Sequence, residues 1–358
     1  MRLMQVVNAR AEHDSPARLR PGSVSSAAVF LCGLLLGAGC APAIKQAPPP
    51  DLAAKFETPA PVPQASPAVR EAEALLSKGD ALKAKQVLQA SLATHAADAR
   101  AELDLGLALE ALGETPAAEA AYRRALAIQP GLGEAHNNLG LLLRDQDKMD
   151  AAIEELRLAA SANPAPSGVH ENLALALEDA GRSQEAEQAY TAAVREAPKN
   201  PILRANFGLF LLKAQAAERA LVELRAGLEH AQGQRTALIA LGNGLRRAGK
   251  PDEAVRALRQ AVDAGPGPAS SAVHTELALA LNAAGDAQGA KAALETAITL
   301  DAKNAAAHYA VGSIYAQEHD VAKAKQHLGT VIALKTSPEL AARAREKLSA
   351  LETPKPKR

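Results

Sequence analysis

From residue 67 to about residue 351, apolar-periodic segments of 12 to 15 residues alternate with short polar turns. In DALKAKQVL, TPAAEAAYRRAL, KMDAAIEELRLA and SQEAEQAYTAAV the apolar positions return with the period of a helix that buries one face. The intervening stretches ALGETP, DAGRSQ, RAGKPD and AAGDAQ read as turns. Gly113, Gly181, Gly249 and Gly285 can adopt φ > 0 there and close the preceding helix. Thr115 and Pro116 read as N-cap and N1 of the helix that follows. The pattern predicts an all-α chain built of helix pairs.

The pairs recur at a fixed interval. Ala84, Ala118, Ala152, Ala186, Ala220, Ala254, Ala290 and Ala324 are 34 residues apart, except for a step of 36 between Ala254 and Ala290. Gly106, Gly140, Ala174, Gly208, Gly242, Ala278 and Gly312 keep the same spacing, so each first helix carries a small residue where two helices approach closely. Pro130, Pro164, Pro198 and Pro266 stop second helices. A period of this length is the mark of a solenoid.

The repeat resembles the tetratricopeptide repeat, W-x2-L-G-x2-Y…A-x3-F…P. Leu105, Gly106, Ala118, Tyr122, Ala125 and Pro130 match it in the second unit, and Leu173, Ala174, Ala186, Tyr190, Ala193 and Pro198 in the fourth. Eight units fit residues 67–338, starting near 65, 99, 133, 167, 201, 235, 271 and 305. The first unit is degenerate, and the fifth has Gly227 and Gln232 where Ala and Pro are usual. His136, His170, His274 and His308 stand in the slot of the missing Trp. Residues 339–351, opened by Ser337 and Pro338, read as a capping helix with Leu340, Ala344, Leu348 and Leu351 on one face. Residues 352–358 read as a disordered tail. The resemblance implies a right-handed superhelix whose inner wall is lined by the first helix of each unit.

Composition agrees with helices. Apolar residues make up 48% of the chain and aromatic residues only 2%, with no Trp, so packing relies on Ala and Leu. Lys plus Arg and Asp plus Glu number 40 each, which leaves no long-range field to attract nucleic acid. Both cysteines, Cys32 and Cys40, precede residue 41, which rules out a disulfide framework or a Cys-rich zinc site in the repeats.

The leader is read separately. Arg2, Arg10, Arg18 and Arg20 precede an uncharged run whose apolar core is Ala27 to Ala38. A membrane-spanning helix needs about 20 residues, so this core fits the apolar region of a secretory signal better than an uncleaved anchor. Leu36-Gly37-Ala38-Gly39-Cys40 resembles a bacterial lipobox, with Gly37 where Leu is usual. That resemblance implies a signal peptide over 1–39 and lipid on Cys40. The alternative is cleavage at Ala41-Pro42-Ala43 and a soluble periplasmic product. Ala41 after the cysteine, rather than Asp, implies an outer-membrane address facing the periplasm. The proline-rich residues 40–66 read as an extended tether of up to ~80 Å.

No catalytic constellation or cofactor motif emerges. HENLA at His170 departs from H-E-x-x-H, GNGLRRAG at Gly242 departs from G-x-G-x-x-G, and the histidine pairs lack further metal ligands. What remains is a surface. Asn138, Asn172 and Asn206 recur at the 34-residue step, each followed three residues later by Leu141, Leu175 and Leu209 on nearly the same helical face. Some tetratricopeptide superhelices use such asparagines to grip a peptide backbone, since an amide both donates and accepts. Asn243, Arg246 and Arg247 change the wall to cation in the sixth unit. The expected function is a lipid-anchored, non-enzymatic scaffold that receives an extended peptide or helix of a protein partner. By resemblance it serves assembly of an envelope machine such as a type IV pilus secretin or a motility complex. The alternatives are a regulator of peptidoglycan enzymes, an enzyme acting on peptidoglycan, and a passive spacer.

Overall fold

In a computed structural model, residues 66–265 and 270–352 are described. The leader with Cys40, the proline-rich stretch, Pro266 and residues 353–358 lie outside the described residues. The described residues hold seventeen α-helices and no strand. They are α1 (Pro67–Ser77), α2 (Ala81–Thr94), α3 (Ala99–Ala111), α4 (Thr115–Ile128), α5 (Gly133–Asp145), α6 (Met149–Ser161), α7 (Val169–Asp179), α8 (Ser183–Glu196) and α9 (Pro201–Lys213). There follow α10 (Ala217–Leu228), α11 (Arg235–Arg247), α12 (Pro251–Asp263), α13 (Ser270–Ala283), α14 (Ala287–Leu300), α15 (Ala305–Gln317), α16 (Val321–Leu334) and α17 (Pro338–Glu352). Odd-numbered helices up to α15 open a repeat and even-numbered helices close it.

The chain divides into two compact units, the division falling inside α5 between Ala135 and His136. In the first, α1 to α4 each pack on the next, and α1 also packs on α3. In the second, from α7 onward, each helix again packs on its successor, and each opening helix on the next opening helix from α9 to α15. Nearest-neighbour packing of this kind is what makes a solenoid.

One turn is reused eight times. Gly79, Gly113, Asp147, Gly181, Gln215, Gly249, Gly285 and His319 all have positive φ. The N–H of the residue after each donates to a carbonyl five residues back, as Glu114 does to Leu109 (2.9 Å) and Lys148 to Leu143 (2.9 Å). This is a Schellman closure. It shifts the next helix by one residue from the sequence expectation: Glu114, not Thr115, takes the N-cap place, and its carbonyl accepts from Ala118 (3.0 Å).

Small residues set the distance between paired helices. A Cβ on Gly140 would sit 2.7 Å from Leu156 Cγ, one on Gly208 2.7 Å from Leu224 Cγ, and one on Gly242 2.6 Å from Leu258 Cγ. In each case the obstacle is the residue sixteen places on. The second unit adds an aromatic core in which Tyr190 lies 5.3 Å from Phe207 and 5.2 Å from Phe210, ring centre to ring centre. At its end α17 lays Leu340, Leu348 and Leu351 against Leu328 and Val331, while Arg343 and Lys347 lie over the Tyr309 ring. The helix opens at Pro338 and includes Glu352, one residue wider at each end than expected. At its start the Ser337 hydroxyl accepts from the Leu340 N–H.

Candidate functional site

The wall formed by opening helices follows from helix geometry. In α5, His136 and Gly140 face α6, where they meet Glu155 and Leu156. At 100° per residue, Asn138 and Leu141 lie far round the helix from that face. Leu141, Leu175 and Leu209 are all half-buried, so each keeps apolar surface open on the wall. This spacing gives an apolar strip one residue wide.

The recurring asparagines also make bonds within the protein. Asn138 is buried at 5% exposure, and its Oδ1 accepts from Asn137 (3.2 Å). Asn172 donates through Nδ2 to Asn137 Oδ1 (2.9 Å), and Asn206 donates to Glu171 Oε1 (3.0 Å). Each of these two bonds spans 35 residues, from one opening helix to the previous one. Asn172 and Asn206 therefore tie their helices to the preceding opening helix, while Asn138 bonds within its own helix. The physical reason is that side chains on this wall point sideways into the neighbouring opening helix as well as outward. Asn172 and Asn206 remain half-buried beside the leucine strip.

The ends of these helices are stitched at the same spacing by charge. Arg144 Nε lies 3.0 Å from Asp179 Oδ2, and Lys213 Nζ lies 3.2 Å from Glu178 Oε1. In the sixth unit Arg246 donates to Asn243 Oδ1 (3.3 Å) and lies 3.9 Å from Glu276 Oε2. Arg247 is exposed. So Arg246 meets both Asn243 and Glu276, and Arg247 stays apart. Burial pushes the Glu276 carboxyl up, against the opposing pull of Arg246, and burial likewise raises Glu171. Neither glutamate was singled out by sequence; Glu171 stands one residue before the asparagine slot of the fourth repeat, and Glu276 occupies that slot in the seventh.

The four histidines in the Trp slot do not converge on one another. His136 Nδ1 lies 2.6 Å from Glu155 Oε2, nineteen residues on in α6. Arg204 and Glu223 pair at 2.5 Å with the same spacing. His308 and His327 bring two Nδ1 atoms to 3.0 Å, again nineteen apart. His170 Nδ1 lies 2.7 Å from Glu196 Oε1. Among the described residues there is no group of three or more His, Cys, Asp or Glu side chains placed to hold a metal. No described helix is long and apolar enough to cross a membrane.

Comparisons with known proteins agree with this geometry. A tetratricopeptide-repeat family model matches residues 69–132, 239–290 and 275–328. A model of the Est1 DNA/RNA binding domain matches residues 118–215. No curated protein matches the chain in sequence. Among solved structures, yeast Tom70 is similar with a TM-score of 0.55 at 14% identity, over 82% of this chain and 66% of that one. A tetratricopeptide repeat protein from Parabacteroides merdae gives 0.54 at 18% identity, over 71% of this chain and 99% of that one. A chain of the Cut9–Hcn1 hetero-tetramer of APC/C gives 0.52 at 15% identity, over 80% of this chain, which spans 55% of that one. At these identities the likeness is one of fold.

Proposed function

This chain is a tetratricopeptide-repeat protein, and we propose that it works by holding a segment of a protein partner against the wall of its opening helices. The observation that carries this reading is the strip of Leu141, Leu175 and Leu209, half-buried at 34-residue steps beside the amides of Asn172 and Asn206. An amphipathic helix or an extended segment finds apolar footing there and polar groups at its edges. The Est1 match raises nucleic acid as a ligand class. Equal numbers of cations and anions, with Arg144, Lys213 and Arg204 each paired to a carboxylate, favour protein over a phosphate backbone.

We further propose that the chain is anchored by lipid on Cys40 to the periplasmic face of the outer membrane and serves assembly of an envelope machine, such as a pilus secretin or motility complex. The support is the lipobox-like Leu36 to Cys40 stretch and the proline-rich spacer after it. Two measurements test the two halves. A photoreactive phenylalanine analogue at Leu175 should yield protein adducts in intact cells, whereas one at Val222, 66% exposed on a closing helix, should not. Equal adducts from both would remove the wall from the reading. Metabolic labelling with a fatty-acid analogue should mark the protein and should fail in Cys40→Ala; unchanged labelling would refute the anchor.

A further inference from the structure

Described residues of the sixth and seventh repeats line a pocket of about 280 Å³ in the second unit. Arg235 of α11, Val262 of α12, Val273 and His274 of α13, and Leu300 of α14 line it. The pocket lies apart from the leucine strip.

Arg235 stands out among the half-buried arginines. Its Nε donates to the Ala261 carbonyl at 3.2 Å. One repeat later, 36 residues on, Ser271 makes the equivalent contact to Ala297 through a hydroxyl (2.8 Å). A serine is enough for that contact, so the Nη groups of Arg235 exceed what the fold requires. Arg144, Arg204 and Arg246 all have carboxylates within 4 Å. Among the described residues Arg235 has none, and no acidic side chain lines the pocket. A guanidinium fixed at Nε presents the remaining N–H groups as a fork that suits a carboxylate. The His274 ring supplies another nitrogen in the same lining. Val262 and Val273 form apolar walls, and Leu300, 53% exposed, belongs to the same lining.

We infer that this pocket binds a carboxylate carried on a short aliphatic peptide segment, with Arg235 as the anion partner and Leu300 covered by the neighbouring aliphatic group. The carboxylate comes either from a chain terminus or from an acidic side chain. The inference does not depend on the leucine strip and stands if that strip binds nothing.

The test is a titration of the 15N-labelled full chain, read at the side-chain N–H of Arg235. Three probes are used: N-acetyl-Val-Ala with a free carboxylate, the same dipeptide amide, and N-acetyl-Val-Glu amide. Binding of either acid with no binding of the dipeptide amide is the expected result, and which acid binds identifies the source. Arg235→Gln should lose at least tenfold in affinity, and Arg235→Lys should retain part of it. Should Arg235→Gln melt early through loss of the Ala261 contact, Leu300→Glu in the same lining keeps the test open, because its charge should repel the same probes. Equal binding of acid and amide, or binding unchanged in both Arg235→Gln and Leu300→Glu, overturns the assignment.

Discussion

Repeats three and eight are built on one plan and filled with different chemistry. In both, a histidine on the opening helix reaches the closing helix nineteen residues on, and a glycine four residues after it meets the leucine sixteen residues further. In repeat three the histidine, His136, finds a carboxylate, Glu155, at 2.6 Å. In repeat eight it finds another histidine: His308 and His327 meet through Nδ1 at 3.0 Å. His308 Nε2 is 3.3 Å from the Ala302 carbonyl, which can only accept, so Nε2 is the donor in that contact. Wall positions differ too. Asn138 and Leu141 of repeat three correspond to Ala310 and Ser313 in repeat eight, and the Ser313 hydroxyl is buried with no partner among the described residues. The period thus fixes where side chains meet, while the residue type decides whether the meeting is a histidine–carboxylate contact, a histidine pair or an unpaired hydroxyl.

The largest expected effect breaks the shared frame. A Cβ on Gly140 would lie 2.7 Å from Leu156 Cγ and 3.1 Å from the Ala152 carbonyl, which is backbone and cannot step aside. A Cβ on Gly312 would lie 3.0 Å from Leu328 Cγ and 3.2 Å from His327 Cβ. Overpacking costs about 1–3 kcal/mol, and replacing glycine inside a helix returns about 1 kcal/mol of propensity. Gly140→Ala should therefore destabilise and Gly312→Ala should be close to neutral, while Gly140→Trp should exceed both. Thermal and urea melts decide it; equal losses in the two alanine variants would mean the contacts are equally compliant.

Next comes acid. Burial, with His308 facing it, holds the His327 imidazole below the usual histidine range, while Glu295 pulls the other way. Tyr315 stacks on His327, and Lys291 and Lys323 lie over the Tyr315 ring. A histidine whose folded pKa is depressed takes up its proton first in the unfolded chain. Its contribution is fully present above about pH 6.5 and is lost as pH falls through that value toward the folded one. Half-buried His274 has the same sign, whereas Glu171 and Glu276, pushed up, lose their contribution as pH rises. The wild-type melting temperature compared at pH 5 and pH 7.5 sums these, so a variant must separate them. His327→Glu rebuilds in repeat eight the histidine–carboxylate pair of repeat three. It should raise the melting temperature at pH 5 relative to pH 7.5, and an unchanged pH dependence would show that the histidine pair is not the sensitive element.

A smaller effect concerns the stitch that repeat three has and repeat eight lacks. Asn172→Ala removes the donor to Asn137 Oδ1. A net loss of about 0.5–1.5 kcal/mol is expected, together with earlier hydrogen exchange in α7. No change in stability would mean that the amide does not tie the two opening helices together.

These contrasts mark what could be read from sequence. The 34-residue recurrence of Gly106, Gly140, Gly208 and Gly312 was enough for the fold class, because close helix approach leaves few residue types to choose from. The recurrence of Asn138, Asn172 and Asn206 was equally plain, yet periodicity reports a face and not the neighbour on it. The bonds of Asn172 and Asn206 run sideways to Asn137 and Glu171 on the preceding opening helix, which no spacing within one helix reveals. The nineteen-residue pairs were legible in principle, since His136 and Glu155 share their spacing with Arg204 and Glu223. The Arg235 pocket was not, because it joins residues of four helices drawn from two successive repeats.

The smallest expected effect lies in the turns. Asp147 of repeat three and His319 of repeat eight both have φ of 62°, in the slot that five other repeats fill with glycine. The left-handed conformation costs an L-residue about 1–2 kcal/mol, less for Asp, whose short side chain bonds locally. Glycine removes that cost but gives the unfolded chain more freedom, worth about 0.4–1 kcal/mol in the other direction. The two terms leave His319→Gly a gain of about 0.5–1 kcal/mol and Asp147→Gly close to zero. Matched urea melts at pH 7.5 resolve a difference of this size only if the slopes agree, so both variants should be run against the wild type with the slope held common. A gain at Asp147 equal to that at His319 would mean the aspartate makes no local bond, and the turn would then be governed by the backbone alone.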